Sequence, residues 1–236
     1  MSDLKYTACL FCYNQTDRIK KTCEAWNSLD TPPERIVVMD DGSDDGCIVD
    51  ELPDNVIIHR FEHCGKIGVL KNYTVDNLIE TEKFIIGEVS VVPYPKTMEF
   101  LLKNCTPEVI FSGMVIDVDS INYPKIRIPI FNINVNNMWV ADLTIYHKST
   151  FPYGNETYMG AGCEDNDTIF RFLVGGGRVV FSTAIQFIHI KHKQEGDWYK
   201  YIPINQKKLV KLVRFYLENK ISIIKKNENG ERIILP

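Results

Sequence analysis

The sequence predicts an α/β fold with a mostly parallel central sheet flanked by helices. Apolar segments of strand length alternate with segments of helical periodicity over the first half of the chain, and this alternation is typical of parallel sheets whose strands are joined by helices. The 236 residues are enough to bury a sizeable core within one such domain. No internal repeat or low-complexity linker divides the chain, so we expect a single domain.

The predicted elements follow one another in regular order. Apolar runs predict strands at about 5–12, 35–40, 55–61, 83–87 and 108–116. Helical spacing between these runs predicts helices at about 17–29, 68–79 and 95–104. Thr16 or Asp17 is expected to cap the first helix, and Pro32 and Pro33 close the loop behind it. A segment rich in Asn, Ile and Pro, 117–137, interrupts the alternation before two further apolar segments, 138–147 and 179–189.

Two of the predicted strands end in polar residues. The first leads into Tyr13 and Asn14, and the second leads into Asp40 and Asp41 within the motif Asp-Asp-Gly-Ser. Ligands of open α/β sheets bind at the carboxyl ends of the strands, so Asn14, Asp40 and Asp41 are candidates for ligand contacts. A turn is the alternative interpretation of Asp-Asp-Gly-Ser, because this composition favours turns by itself.

A glycine turn followed by three carboxylates marks residues 159–167. Glu164, Asp165 and Asp167 fall within four consecutive residues, and their mutual repulsion must be offset by solvent, a helix N-terminus, a cation or a use in acid/base chemistry. The segment therefore predicts either one wall of an active site or the first turn of a helix, where acidic residues complement the helix dipole.

These motifs, in this order, resemble those of known enzymes. The arrangement strand, Tyr-Asn, helix, strand, Asp-Asp-Gly-Ser is similar to the family 2 glycosyltransferases, which have the GT-A fold. The segment Phe151–Asp167, which ends in Glu-Asp-Asn-Asp, resembles the acceptor-side motif of the β-1,4-galactosyltransferases. The resemblance covers roughly residues 4–193 and implies an inverting glycosyltransferase, which moves a sugar from a nucleotide-diphosphate sugar to an acceptor hydroxyl.

The resemblance also implies how the single GT-A-like domain, 1–236, is organised. Residues at about 1–116 form the half that binds the nucleotide sugar, and residues at about 117–193 form the acceptor and catalytic half. Residues at about 194–236 lie beyond the resemblance, and their composition and spacing predict a basic C-terminal helical region of the same domain.

On this resemblance the donor nucleotide binds at the ends of the first two strands. Asp41 takes the place of a residue that contacts the nucleobase, and because a carboxylate accepts a hydrogen bond from the imide N–H of uracil, we expect a UDP-sugar. Lys71 matches a basic residue that approaches the donor phosphates, and its alternative interpretation is a solvated helical lysine. The donor-binding residues expected are Phe11, Tyr13, Asn14, Asp40, Asp41 and Lys71.

The same resemblance makes Asp165 the general base that takes the proton from the acceptor hydroxyl. Glu164 is expected to orient the acceptor as the second catalytic residue. Asp167 is expected to cap the helix or to bind Arg171 four residues later. Ala161 replaces the tryptophan of the galactosyltransferase motif, so the acceptor pocket of that family is not implied here.

The metal motif of the GT-A fold is altered in this chain. Glu88 and Ser90 occupy the positions of the two aspartates in the usual Asp-x-Asp motif. A glutamate still binds Mn²⁺ or Mg²⁺, whereas a serine is a neutral and weak ligand. His189 and His192 match a Met-x-x-His element that closes the metal site in the galactosyltransferases. The alternatives are a core histidine at 189 and a phosphate-contacting histidine at 192.

Two other functions remain open from the sequence. A catalytically degenerate GT-A module would bind a nucleotide sugar or a glycan without turnover, and the altered Asp-x-Asp motif favours it. Glu164, Asp165 and Asp41 favour catalysis, because a binding module needs no positioned base. A nucleotidyltransferase is disfavoured because no glycine-rich, basic loop follows the start of the chain.

The cysteine and hydropathy patterns predict a cytoplasmic protein. No apolar run is long enough to span a bilayer, and the first residues lack the basic and apolar regions of a signal peptide. The seven cysteines are scattered and odd in number, which favours a reducing compartment over a disulfide framework.

Positive charge is concentrated near the end of the sequence. Residues 190–226 contain ten Lys and Arg against three Asp and Glu, a net charge of +7 in a chain whose net charge is −4. This region predicts either a helix with a solvated basic face or contact with an anionic partner. The candidate partners are a membrane that carries a lipid-linked acceptor, a nucleic acid and a polyanionic acceptor, in addition to a simple glycan.

Overall fold

The computed structural model describes residues 4–118, 125–127, 143–160, 162–190 and 198–234. A nine-stranded sheet runs through this part of the chain, and helices pack on both of its faces. The α/β fold predicted from the sequence is confirmed. Within the same residues, no helix combines the length and the hydropathy needed to cross a membrane.

The first half of the chain forms a parallel sheet. Its elements are β1 (Tyr6–Cys12), α1 (Thr16–Asn27), β2 (Arg35–Asp40), β3 (Val56–Arg60), α2 (Ile67–Asn77) and β4 (Lys83–Glu88). The strands lie in the order β3-β2-β1-β4 and run in the same direction. Helix α1 covers one face of β1 and α2 covers the other, which explains the uninterrupted apolar sequence of this strand.

The second half of the chain adds a mixed sheet. Its elements are β5 (Val91–Pro93), α3 (Thr97–Asn104), β6 (Val109–Val118), β7 (Lys125–Arg127), β8 (Leu143–His147), α4 (Glu164–Val174), β9 (Arg178–Ile190) and α5 (Ile202–Asn219). Strand β8 runs antiparallel to both β4 and β6, whereas β9 is parallel to β6 and antiparallel to β5. The parallel arrangement predicted from the sequence therefore holds for β1 to β4, and the sheet as a whole is mixed.

The five strands and three helices predicted between residues 5 and 116 are all present. Their observed boundaries lie within two residues of the expected ones. The segment 179–189 lies within β9, and 143–147 forms β8, whereas 138–142 lies outside the described residues. The capping prediction for the first helix is wrong. Gln15 occupies the N-cap without a side-chain capping bond, because the hydroxyl of Thr16 donates instead to Asp45 Oδ1 at 2.7 Å.

A buried ionic network fixes α4 against α5 and the preceding loop. Asp167 and Arg171 are both inaccessible to solvent, and Arg171 Nε and Nη2 donate to Asp167 Oδ2 at 3.0 and 2.9 Å. The same guanidinium donates to the carbonyl oxygens of Pro152 and Tyr153, and Tyr216 of α5 donates to Asp167 Oδ1. Of the two roles expected for Asp167, the structure shows the pairing with Arg171.

We expect Asp167→Ala to lower the free energy of unfolding by about 3–5 kcal/mol, because it leaves the Arg171 guanidinium buried without a counter-charge. Urea unfolding followed by circular dichroism measures the loss. Glu99→Ala is the matched control, since Glu99 pairs with Lys103 at the same helical spacing on the surface and should lose only about 0.3–0.5 kcal/mol. Equal losses in the two variants would contradict the structural role given to Asp167.

Candidate active site

The carboxyl ends of β1, β2 and β4 meet at one edge of the sheet. In register, Cys12 of β1 lies beside Asp40 of β2, and Phe11 of β1 lies beside Glu88 of β4. Strand order reverses between β1 and β4, and such a reversal leaves a crevice in which ligands of α/β sheets bind. Asp41 and Glu88 therefore lie at the edge of the sheet where ligand binding is predicted, and this edge is called the crevice below.

Asp40 is turned into the protein and holds the loop that follows β2. Its buried carboxylate accepts from Ser43 N at 3.0 Å, from the Ser43 hydroxyl and from Arg60 Nη1 at 3.1 Å. Arg60 Nη2 also donates to Ser43 O at 2.7 Å. Asp40, the first residue of Asp-Asp-Gly-Ser, therefore stabilises a turn, which was the alternative interpretation of this motif.

Asp41 links the loop after β2 to the loop after β3. Its buried carboxylate accepts from Cys64 N at 2.9 Å and from Gly65 N at 3.1 Å, and His63 Nδ1 lies 3.1 Å from Asp41 Oδ2. The ring of His63 stacks on that of Tyr13, with centroids 4.5 Å apart and planes inclined by 22°. The contribution of the 63–65 loop to the site was not predicted from the sequence. The loop follows a third strand of the predicted parallel sheet, and this position could have indicated that it belongs to the site.

Phe11 and Asn14 make contacts within the protein that hold the segments after β4 and β2. The side chain of Phe11 is buried in the core, and its carbonyl oxygen accepts from Val89 N at 3.1 Å. Asn14 has a left-handed backbone, with φ 53°, and its amide both donates to Asp44 Oδ2 and accepts from Asp44 N at 2.9 Å. Both residues are thus engaged within the protein, whereas the Tyr13 ring borders the crevice beside Asp41.

The loop that precedes α4 is held against α2 and the 63–65 loop by hydrogen bonds and close backbone packing. Asn72 of α2 donates to Gly154 O at 2.8 Å and accepts from Gly154 N at 2.6 Å. A Cβ on either Gly68 or Gly154 would lie 2.9 Å from a backbone atom of the facing segment, so neither position has room for a side chain. Gly160 N donates to Gly65 O at 2.8 Å. Asn72 was missed from the sequence, although a polar residue among the apolar positions of α2 was a signal.

An ion pair between Lys71 and Asp165 joins the two halves at the centre of the site. Lys71 Nζ, on α2, donates to Asp165 Oδ1 in the first turn of α4. The side chain of Lys71 is 9% exposed and that of Asp165 is 44% exposed, so the alternative of a solvated helical lysine is wrong. Burial opposes the charged form of Lys71, but Asp165, Glu164 and Glu88 outweigh it and raise the pKa of the lysine.

Glu164 has different surroundings from Asp165. Its Oε2 atom is shielded from solvent and has no hydrogen-bond partner among the described residues. Burial, and then the charge of Asp165, raise the pKa of Glu164 to about 7, although Lys71 acts in the opposite direction. Glu164 is thus harder to ionise than an ordinary exposed glutamate.

The predicted metal ligands are only partly described. Ser90 donates to Glu88 Oε2 at 3.3 Å, and His189 lies on β9 opposite Val91. His192 lies outside the described residues, as does Ala161.

A cluster of three potential metal ligands lies elsewhere in the described part of the chain. Its ligand atoms, all within 4.8 Å of one another and all buried, belong to Cys12, Asp40 and Cys47. Thiols suit zinc or copper better than Mn²⁺ or Mg²⁺. This cluster therefore does not fit the metal predicted from the sequence.

Glu164 is expected to make stability depend on pH near neutrality. Its pKa rises on folding from about 4.5 to about 7, so its ionisation lowers the free energy of unfolding as the pH rises through that interval. Glu164→Gln removes this loss. The variant should therefore gain stability relative to the wild type between about pH 5 and about pH 8, as measured by urea unfolding.

Glu99→Gln serves as the control for this titration. Lys103 lowers the pKa of Glu99, so this group titrates below the interval, and the difference between the variant and the wild type should stay constant across it. A constant difference for Glu164→Gln as well would show that Glu164 does not titrate near neutrality.

Comparison with known proteins identifies the fold. Neither a protein-family model nor a curated protein sequence matches the chain. A crystal structure of GalNAc-T7 with UDP, GalNAc and Mn²⁺ matches with a TM-score of 0.68 and 12% identity, over 92% of this chain and 49% of that one. The chain thus spans about half of the GalNAc-T7 structure.

Two crystal structures of S. aureus TarS, residues 1–349, are also similar. The complex with UDP-GlcNAc matches with a TM-score of 0.67 and 15% identity, over 92% of this chain and 69% of that one. The complex with UDP matches with a TM-score of 0.61 and 13% identity, over 92% of this chain and 68% of that one. The similarity to a β-1,4-galactosyltransferase motif stays a prediction. The chain has the GT-A fold of glycosyltransferases whose structures contain UDP or a UDP-sugar.

Proposed function

We propose that this chain transfers a sugar from a UDP-sugar to an acceptor hydroxyl, with inversion at the anomeric carbon and with Asp165 as the general base. The proposal rests on the meeting of Lys71, Asp165, Glu164 and Glu88 at the crevice beside β4. One cation and three carboxylates in a half-buried crevice suit a reaction that moves a proton and releases a diphosphate. The fold, shared with structures that contain UDP, supports uridine as the donor nucleoside.

The uracil of the donor is proposed to bind at Asp41 beside the stacked rings of Tyr13 and His63. A carboxylate has about four acceptor sites, and the hydrogen bonds from Cys64 N and Gly65 N use two of those of Asp41, while His63 Nδ1 bonds the backbone oxygen of Asp41 at 2.9 Å. A remaining site suits the imide N–H of uracil, and the Tyr13 ring offers a face on which a base can stack. Asn14 and Asp40 are proposed to shape this pocket through the loop they hold.

The chemical step is a direct displacement. The acceptor oxygen forms a bond to the anomeric carbon as its proton passes to the Asp165 carboxylate. The bond between the anomeric carbon and the phosphate oxygen breaks, and its electron pair leaves with UDP. Lys71 is proposed to stabilise the negative charge that develops on this diphosphate.

In the absence of substrate the Lys71 ammonium donates to Asp165 Oδ1, so this oxygen is already engaged and is not open to an acceptor hydroxyl. The donor diphosphate carries more negative charge than one carboxylate, and we propose that it draws Lys71 away from Asp165. Donor binding then prepares the base, so the donor binds before the acceptor. Glu164, whose Oε2 has no partner, is proposed to accept a second hydroxyl of the acceptor.

Mn²⁺ or Mg²⁺ is proposed to be held by Glu88 together with the donor diphosphate. Sites for these ions often combine one or two carboxylates with substrate phosphates, and the exposed carboxylate of Glu88 at the end of β4, bonded to Ser90, fits that donor set. His189 and His192 remain the additional ligands predicted from the sequence. When bound, the ion supplies positive charge that favours departure of the diphosphate.

Replacement of Asp165 tests this assignment. Asp165→Asn should reduce kcat by about 10²–10⁴, measured as UDP released from a set of UDP-sugars in the presence of an array of simple glycosides. Its affinity for UDP should not weaken, because Lys71 loses a competitor for the diphosphate. Asp54→Asn, a substitution in an exposed loop, should leave both quantities unchanged.

Two outcomes would replace the proposal. Full turnover by Asp165→Asn together with none by Glu164→Gln would make Glu164 the base. A wild-type protein that binds UDP in calorimetry and releases none from any donor would instead be the catalytically degenerate GT-A module, whose function is binding.

A further inference from the structure

Helix α5 has an inner face that supports the candidate active site. Leu209, Leu212 and Tyr216 are buried against Tyr158 and Cys163 in one apolar cluster. On the same face, nearer the start of the helix, the side chain of Asn205 bonds the loop that leads into α4. Its Nδ2 donates to Met159 O at 2.8 Å and to Gly162 O at 3.0 Å.

The outer face of α5 combines basic and apolar side chains. Lys207, Lys211 and Arg214 are exposed and fall within about 60° of one another around the helix axis, at about 100° per residue. The exposed Glu218 lies in the same sector, so these four side chains carry a net charge of +2. Apolar side chains flank this basic stripe on both sides, Val210 and Leu217 on one and Ile204 on the other. They are 46%, 63% and 62% exposed, respectively.

We propose that this outer face of α5 binds the surface of a membrane rich in anionic lipids. An amphipathic helix lies in a membrane interface when basic residues meet the lipid headgroups and aliphatic side chains enter the boundary of the acyl chains. Within the described residues, Lys207, Lys211 and Arg214 form no ion pair, so their charges are available to headgroups. The region that contains α5 carries +7 in a chain of −4, so attraction to an anionic surface is directed to this side.

The apolar flank distinguishes a lipid surface from other polyanions. A nucleic acid or a phosphate polymer gains from Lys and Arg, but it offers little to Val210 and Leu217, which lie on the same side of the stripe. At a bilayer surface both kinds of side chain make favourable contacts: the basic ones bind the lipid headgroups, and the exposed aliphatic ones beside them pack against the acyl chains.

The placement of α5 also suggests the class of acceptor, a consequence that rests on the proposed function. The inner face of this helix bonds the loop before Glu164 and Asp165. A membrane bound to the outer face would therefore lie one helix away from the acceptor-side wall. The acceptor is accordingly an amphiphile whose hydroxyl-bearing headgroup projects from the bilayer.

Co-sedimentation with vesicles tests the proposal without any nucleotide, so it is independent of transferase activity. The full chain should sediment with vesicles of phosphatidylcholine mixed with phosphatidylglycerol and stay in solution with phosphatidylcholine alone. Lys207→Glu/Lys211→Glu/Arg214→Glu should weaken binding by about 100-fold or more. Val210→Ser/Leu217→Ser should weaken it by about 10-fold.

A charge-matched control separates a specific face from overall charge. Lys21→Glu/Lys96→Glu/Lys103→Glu changes the net charge equally at exposed positions outside α5 and should bind like the wild type. Loss of binding in this control, or no binding by the wild type, would overturn the proposal. Wild-type binding by Val210→Ser/Leu217→Ser would also overturn it, because binding would then depend on charge alone and the face would not distinguish a membrane from another polyanion. Unchanged melting temperatures would show that the variants are folded.

Discussion

The ion pair between Lys71 and Asp165 connects the two halves of this protein at the point where chemistry is proposed. Lys71 comes from α2, which packs behind the parallel strands, and Asp165 comes from the first turn of α4, more than ninety residues later. The pair is half shielded from solvent, so it is stronger than a surface pair and still within reach of a ligand. On the proposed mechanism, a diphosphate that enters the crevice meets a cation already balanced by a carboxylate, and this competition would couple donor binding to the base.

The acidic residues at the start of α4 differ in their surroundings. Asp167 points inward and is satisfied by Arg171 and Tyr216, which fixes the helix. Glu164 and Asp165 remain at the crevice, where burial and then the charge of Asp165 raise the pKa of Glu164 to about 7, although Lys71 acts in the opposite direction. The ionised form of Glu164 therefore lowers the stability of the folded state. Different surroundings for adjacent acids thus follow from the direction in which each side chain leaves the helix.

Sequence patterns predicted the elements of the first half and the strand ends that border the crevice, because burial on both faces leaves long apolar runs. They did not predict strand direction in the second half, since an apolar run carries no information about the neighbour it will pair with. They also did not reveal the hydrogen bonds of Asp40 and Asn14, whose partners Arg60 and Asp44 lie about 20 and 30 residues away along the chain. Hydrogen bonds between polar side chains far apart in sequence depend on how the loops fold. A local sequence pattern does not predict such pairs.

Calorimetric titration with UDP and CDP tests the central claim most directly, because the two nucleotides differ only in the base. Uracil presents an imide N–H to the Asp41 carboxylate, whereas cytosine presents an unprotonated nitrogen at the same position. The account predicts that UDP binds saturably at one site per chain and at least about 10-fold more tightly than CDP. Equal affinity for the two nucleotides, or no saturable binding of UDP, would contradict a uridine site at the carboxyl ends of β1 and β2.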